Sequence, residues 1–137
     1  MSLNLHDKFE QEFIVSDKVY EGFILLFKDT NPLHTNEQFA IEHNFKGRVM
    51  HGNILNGFIS YFIGECLPIK NVIIHLQTIE FRKPVYLGDK LFFKGVVNGV
   101  FESVNAIEFK FSFKNESSIE VAKGKIQIGI LPEAKSK

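Results

Sequence analysis

The chain has no tryptophan, one cysteine and no excess of either charge, with 16 Lys and Arg against 16 Asp and Glu. Each shortage excludes something. Cys66 alone cannot form an internal disulfide, and no Cys/His cluster has the spacing of a zinc site, so no metal is expected. A formal charge of zero gives no electrostatic reason to expect nucleic acid or an anionic membrane as partner. No apolar run approaches bilayer length, and the opening MSLNLHDKFE lacks the basic start and apolar stretch of a secretory signal. The expectation is a soluble cytoplasmic protein. Its 137 residues amount to one domain, 1–137, large enough to bury a core without covalent or metal staples.

What is abundant is phenylalanine, with 15 residues, mostly in alternating patterns that suit sheet faces. Ile107, Phe109, Phe111 and Phe113 alternate with Glu108, Lys110, Ser112 and Lys114. Ile126, Ile128 and Ile130 do the same against Lys125 and Gln127. Such alternation predicts antiparallel strands with one face buried, and the lysines are read as guards against edge pairing. Strands are expected over Phe9–Val15, Asn71–Tyr86, Lys90–Phe101, Val104–Lys114 and Ile119–Leu131, with a turn at Gly88–Asp89. The tail from Glu133 to Lys137 is expected to fray.

The first half reads as helices. Ser16 is a candidate N-cap for DKVYEGFILLFKD, which Pro32 should end. TNEQFAIEH reads as one short helix capped by Thr35. HGNILNGFISYFIGECLP is the most apolar helix, with Ile54, Leu55, Phe58, Ile59, Phe62 and Ile63 on its large-residue side. Its other side carries a small stripe, Asn53, Gly57, Ser60 and Gly64. Glycine in a helix interior costs about 1 kcal/mol relative to Ala, so the stripe predicts a close neighbour and a helix buried on both sides. The class is α+β: an antiparallel sheet wrapped around one long central helix.

Two features suggest chemistry. In FKDTNPLHTNEQFA, Pro32 and Asn31 stiffen a turn that could hold Asp29 and His34 toward one cavity. A plain polar connection between helices fits the same letters. Next, His51–Gly52 stands at the start of the central helix, where backbone amides lack partners and the dipole is positive. A carbonyl placed there would be polarised as in an oxyanion hole, with Gly52 allowing close approach. Alternatively Gly52 serves only the turn and His51 only packs. His43 and His75 read as structural, and Cys66 as a small apolar residue.

With HG at 51–52, the stretch Phe27–Ala40 resembles the MaoC-like dehydratases of (R)-specific enoyl-CoA hydratase type. QTIEFRKPVYLGDKL matches that family's strand pattern through Gln77, Phe81, Pro84, Val85, Gly88 and Asp89. The resemblance covers Phe27 to about Val97. It implies a hotdog fold and reversible hydration of trans-2-enoyl thioesters, on CoA or acyl carrier protein, within fatty acid metabolism. Asp29 and His34 would be the catalytic acid and histidine, and Gly52 the amide donor to the thioester carbonyl beside His51. Asn31 would support the site and Ser60 would orient the acid, with Gly57 and Gly64 leaving room for the acyl chain. The implied assembly is a homodimer, or a higher homo-oligomer built from it, and no cofactor is implied. Lys46, Arg48, Arg82 and Lys83 could meet CoA phosphates or an acidic carrier, or be plain solvated charges.

One departure stands out. Family members commonly place Gly just before the acid, after a small Ser or Thr, whereas this chain has Phe27–Lys28. Either the turn differs, or Lys28 adds a positive charge beside Asp29 that weakens it as a base, or Lys28 is a plain solvated residue, the reading preferred here. Two rival functions stay open: a thioesterase on the same fold, which the D-x-N-P-x-H spacing argues against, and a non-catalytic acyl-binding subunit, which Phe27–Lys28 keeps alive.

Overall fold

The computed structural model describes residues 3–134, so the expected fraying beyond Ala134 lies outside the described residues. Five antiparallel strands form one sheet: β1 (Lys8–Ile14), β2 (Val72–Phe81), β3 (Lys90–Phe101), β4 (Ala106–Lys114) and β5 (Glu120–Ile130), in the order β1-β3-β4-β5-β2. The helices are α1 (Asp17–Phe27), α2 (Pro32–Thr35), α3 (Glu37–Glu42) and α4 (Asn53–Tyr61). A single π turn, Phe62–Cys66, continues α4 until Leu67 is pushed extended by Pro68. Among the described residues, no helix is long and apolar enough to cross a membrane.

Alternation works as expected. Phe109, Phe111 and Phe113 of β4 are buried, as are Leu91, Phe93 and Val97 of β3 and Ile126 and Ile128 of β5. Onto that face packs α4 with its π turn. Phe62 meets Phe93 at 4.7 Å between ring centroids and Phe109 edge-on at 5.5 Å, while Phe58 stacks on Phe13 at 4.4 Å. Each fully buried Phe or Ile contributes roughly 1.5–3 kcal/mol. The result is the expected hotdog arrangement, a curled sheet around one apolar helix.

Several local expectations need correction. Helix α1 ends at Phe27, not at Pro32, because Lys28 takes the left-handed conformation (φ 60, ψ 25) and donates its N–H to Ile24 O. Pro32 instead opens α2, capped by Asn31. TNEQFAIEH is split, with Asn36 rather than Thr35 capping α3; the Thr35 hydroxyl turns back to the carbonyls of Thr30 and Asn31. β2 stops at Phe81, short of Tyr86, which makes only an isolated bridge to Val49.

The lysines read as edge guards lie on inner strands. Lys110 and Lys114 are on β4 and Lys125 is on β5, whereas the edges are β1 and β2. Edge strand β2 exposes Ile73, Leu76 and Phe81 instead. Nor does this chain bury α4 on both sides: Asn53, Gly57, Ser60 and Gly64 are all exposed, and a Cβ added at Gly57 or Gly64 would meet nothing within 4 Å.

Candidate active site

The connection between α1 and α2 is compact because its polar groups are satisfied locally. The left-handed Lys28 turns the chain, the Asn31 N–H donates to Asp29 Oδ1 at 3.2 Å, and Asn31 Oδ1 accepts from Leu33 N at 3.0 Å. Asn31 thus holds the Asp29 carboxylate and starts the helix that carries His34. The lysine reproduces the turn that a glycine would make, at a strain of roughly 1–2 kcal/mol.

His34 is fixed from three directions. Its Nδ1 lies 2.7 Å from the carbonyl of Val49; a carbonyl only accepts, so Nδ1 is the donor, which fixes the tautomer in which Nε2 is bare. Its own carbonyl accepts from the Tyr20 hydroxyl at 2.6 Å. The Val49 N–H donates to Leu33 O at 3.0 Å, tying α2 to the same segment. Nε2 faces Asp29 Oδ2 at 3.8 Å, too long for a hydrogen bond, so both groups remain available to a third molecule.

His51 is 3% exposed and lies in an aromatic slot, 4.6 Å from the Phe23 ring and 4.0 Å from the His34 ring. Its Nε2–H donates to the backbone carbonyl of Asp29 at 2.8 Å, which leaves Nδ1 as a buried acceptor with no protein partner among the described residues. The chain positions of Asp29 and His34 are therefore set through main-chain carbonyls by His51, Tyr20 and Val49. Of these, Tyr20 and Val49 have no signature in the sequence, because their partners lie 14 and 15 residues away.

Gly52 caps α4 without a side-chain bond, and its N–H finds no protein acceptor among the described residues. A Cβ there would stand 2.9 Å from the Phe81 ring, which would have to move aside, so glycine suits the close approach of this turn to β2. Asp29, His34, His51 and Gly52 line one cavity of about 500 Å³, with Arg82 and Lys83 also on its wall. A second cavity of about 760 Å³, between α1 and α4, shares Asp29, Phe23 and Asn53 with the first. Gly57 lines this second cavity. Ser60 and Gly64 line neither, and both face outward on α4 and its π turn.

Asp29, His34 and His51 each offer a potential metal ligand atom within 4.8 Å of one another. Two imidazoles sharing a zinc ion at about 2.0–2.1 Å hold their ring centres roughly 5 Å apart. Here the rings are 4.0 Å apart with planes inclined by 30°. They are packed rather than opened toward a common ion, and the donor set fits a metal poorly. Of the remaining candidates, His43 is exposed and bonded to Phe39 O, and His75 is exposed on β2 at a register shift. Cys66 is half-buried near Gln11, and burial pushes its thiol pKa up, the reverse of what a nucleophile needs.

The arrangement can hold a water molecule between a carboxylate and a bare imidazole nitrogen, beside an amide able to receive a carbonyl oxygen. Known proteins resemble this chain in sequence and in fold. Residues 4–117 match the model of a family described as MaoC like domain. An (R)-specific enoyl-CoA hydratase of Rhodospirillum rubrum is 36% identical over 104 residues, covering 73% of this chain and 72% of that protein. A mitochondrial 3-hydroxyacyl-[acyl-carrier-protein] dehydratase of Arabidopsis thaliana is 28% identical over 135 residues, covering 95% of this chain and 78% of its own. Among solved structures, an (R)-hydratase from A. caviae involved in PHA biosynthesis superposes with a TM-score of 0.87 at 24% identity, over 95% of this chain and 98% of that one, a likeness of fold.

Proposed function

Because the chain belongs to the MaoC-like domain family, we propose that it is a hydro-lyase that adds water to trans-2-enoyl thioesters, giving (R)-3-hydroxyacyl thioesters, and runs in reverse as a dehydratase. The observation that carries this reading is the bare Nε2 of His34 and the Asp29 carboxylate opening onto one cavity with the free amide of Gly52.

Hydration needs a base near the β carbon, a proton donor near the α carbon, and a donor to the carbonyl oxygen where enolate charge develops. His34 Nε2 and Asp29 hold the water and take one of its protons as its oxygen bonds to the β carbon. The pair then returns a proton to the α carbon. The Gly52 amide, at the positive end of α4, meets the growing charge on the thioester oxygen. Asn31 keeps the carboxylate in place, and His51 keeps the Asp29 main chain in place. These groups complete the reaction without metal or redox cofactor. The CoA or carrier-protein arm enters past Arg82 and Lys83.

A homodimer is part of the same reading. The outer edge of β2 carries unpaired backbone groups and exposed Ile73, Leu76 and Phe81, which suit pairing with a second copy. Ser60 enters the reading only through such a copy, since its own chain turns it to solvent.

The test is loss of the enoyl thioester absorbance with crotonyl-CoA, a longer trans-2-enoyl-CoA and an enoyl-carrier protein. Wild-type turnover is expected, with Asp29→Asn and His34→Ala each slower by at least about a hundredfold while still folded. Near-wild-type rates in both variants would remove the site assignment. Thiol release from a saturated acyl-CoA, with no hydration, would establish the thioesterase instead.

A further inference from the structure

Asn53 opens α4 but does not cap it. An asparagine at a helix start ordinarily turns its oxygen onto the free amides there. The Asn53 Oδ1 instead accepts from Asn56 Nδ2 at 2.8 Å, almost one turn further along. Asn56 is held in its turn by Gln77 on β2, whose Nε2 donates to Asn56 Oδ1. The three amides therefore run in one direction. Gln77 fixes Asn56, Asn56 fixes Asn53, and Asn53 Nδ2 ends the row as a donor with no acceptor among the described residues. Two placements bring that donor to the reacting carbonyl. Cα–Cβ bonds in a helix lean toward its N-terminus, so the Asn53 side chain reaches back over the end where the Gly52 amide opens. Asn53 also lines the cavity that holds Gly52, Asp29 and His34.

We propose that the Asn53 side-chain amide is a second oxyanion donor, which acts with the Gly52 N–H on the thioester oxygen; this rests on the hydratase reading above. An enolate oxygen has lone pairs for more than one donor, and Gly52 supplies a single N–H. The hold on Oδ1 is what makes Asn53 fit for the task. A freely turning amide would present its oxygen to the substrate carbonyl as readily as its nitrogen, and two oxygens repel. With Oδ1 engaged by Asn56, the N–H side faces the cavity before any substrate arrives. Charge that grows on the thioester oxygen, as water adds to the β carbon, then meets two fixed donors, and neither gives up its proton. Asn56 and Gln77 are positioning residues for this group, since neither lines the cavity of Gly52.

One substitution sets helix stability against catalysis. In Asn53→Asp a carboxylate enters the first turn of α4, where the helix dipole favours it, so the melting temperature should hold or rise. The same change puts a negative acceptor beside the growing oxyanion, so kcat with crotonyl-CoA should fall at least about a hundredfold. Asn53→Ala removes the donor alone and should lower kcat about tenfold with KM little changed, the pattern of an interaction made in the transition state. Asn56→Ala frees Asn53 to turn; it should fall between wild type and Asn53→Ala, and combining the two should lower kcat no further. Folded Asn53→Asp and Asn53→Ala proteins with kcat within about twofold of wild type would overturn the proposal. A second reading needs no turnover. Butanoyl-CoA with an isotope label in its thioester carbonyl should show, by infrared difference spectroscopy, a carbonyl band lowered on binding wild type and moved part-way back in Asn53→Ala. A band that is equal in both proteins, or not lowered by wild type, overturns the proposal. A band lowered through Asn53 in a protein that hydrates no enoyl thioester sinks the hydratase reading and leaves the donor pair standing.

Discussion

The sheet with α4 and the connection from Lys28 to Gly52 are held by different physics. In the first, Phe62, Phe93, Phe109 and Phe113 are buried against several rings each, so position is set by many weak contacts. In the second, three side-chain bonds to main-chain carbonyls do most of the fixing: Tyr20 to His34, His34 to Val49, and His51 to Asp29. A packed core spreads damage over its whole stability. A set of single tethers concentrates damage on one geometry and leaves stability nearly intact. Structure and chemistry can therefore be broken separately in this chain.

The strongest break of the first kind is Phe62→Ala, which leaves a cavity between β3, β4 and the π turn. It should cost about 3–5 kcal/mol, read as a lowered denaturant midpoint. A loss under 1 kcal/mol would mean the core rearranges to fill the hole. By contrast, Tyr20→Phe keeps a 6% exposed ring and removes only the hydroxyl that holds the His34 carbonyl. It should lower kcat about tenfold with KM little changed, for about 1 kcal/mol of stability. Nitrogen NMR of the His34 imidazole should then show Nδ1 less firmly protonated. An unchanged tautomer with unchanged kcat would assign Tyr20 to packing alone. The smallest effect sharpens the contrast from the other side. Lys28→Gly relieves a left-handed lysine and should stabilise the protein by roughly 1 kcal/mol, the scale of that strain. A destabilised variant would show that the lysine side chain, not its backbone, secures the turn.

This division also explains what was legible beforehand. Strands β4 and β5 follow from alternating Phe and Ile, and α4 from its apolar period, because burial writes itself locally into residue type. For Asp29, His34 and Gly52, the D-x-N-P-x-H turn and the HG helix start each also fitted a plain structural reading, and the family resemblance tied the three together. The place of β2 at the sheet edge was not, since strand order depends on which distant partners pair. The Asn36 cap was missed because Thr35 and Asn36 are both good caps, and a hydrogen bond back to Thr30 decides between them. Nothing in DKVYEGFILLFKD singles out Tyr20. Only the folded chain shows which carbonyl its hydroxyl meets.

The double hold at Val49 has a consequence for inheritance. Its N–H and its carbonyl clasp α2 at Leu33 and at His34, and its side chain takes no part in either bond. Substitution at position 49 can drift through most amino acids without moving His34, proline excepted because it lacks the N–H. What position 49 gives the reacting histidine then passes through the main chain, while its side chain is constrained only by its place on the wall of the catalytic cavity.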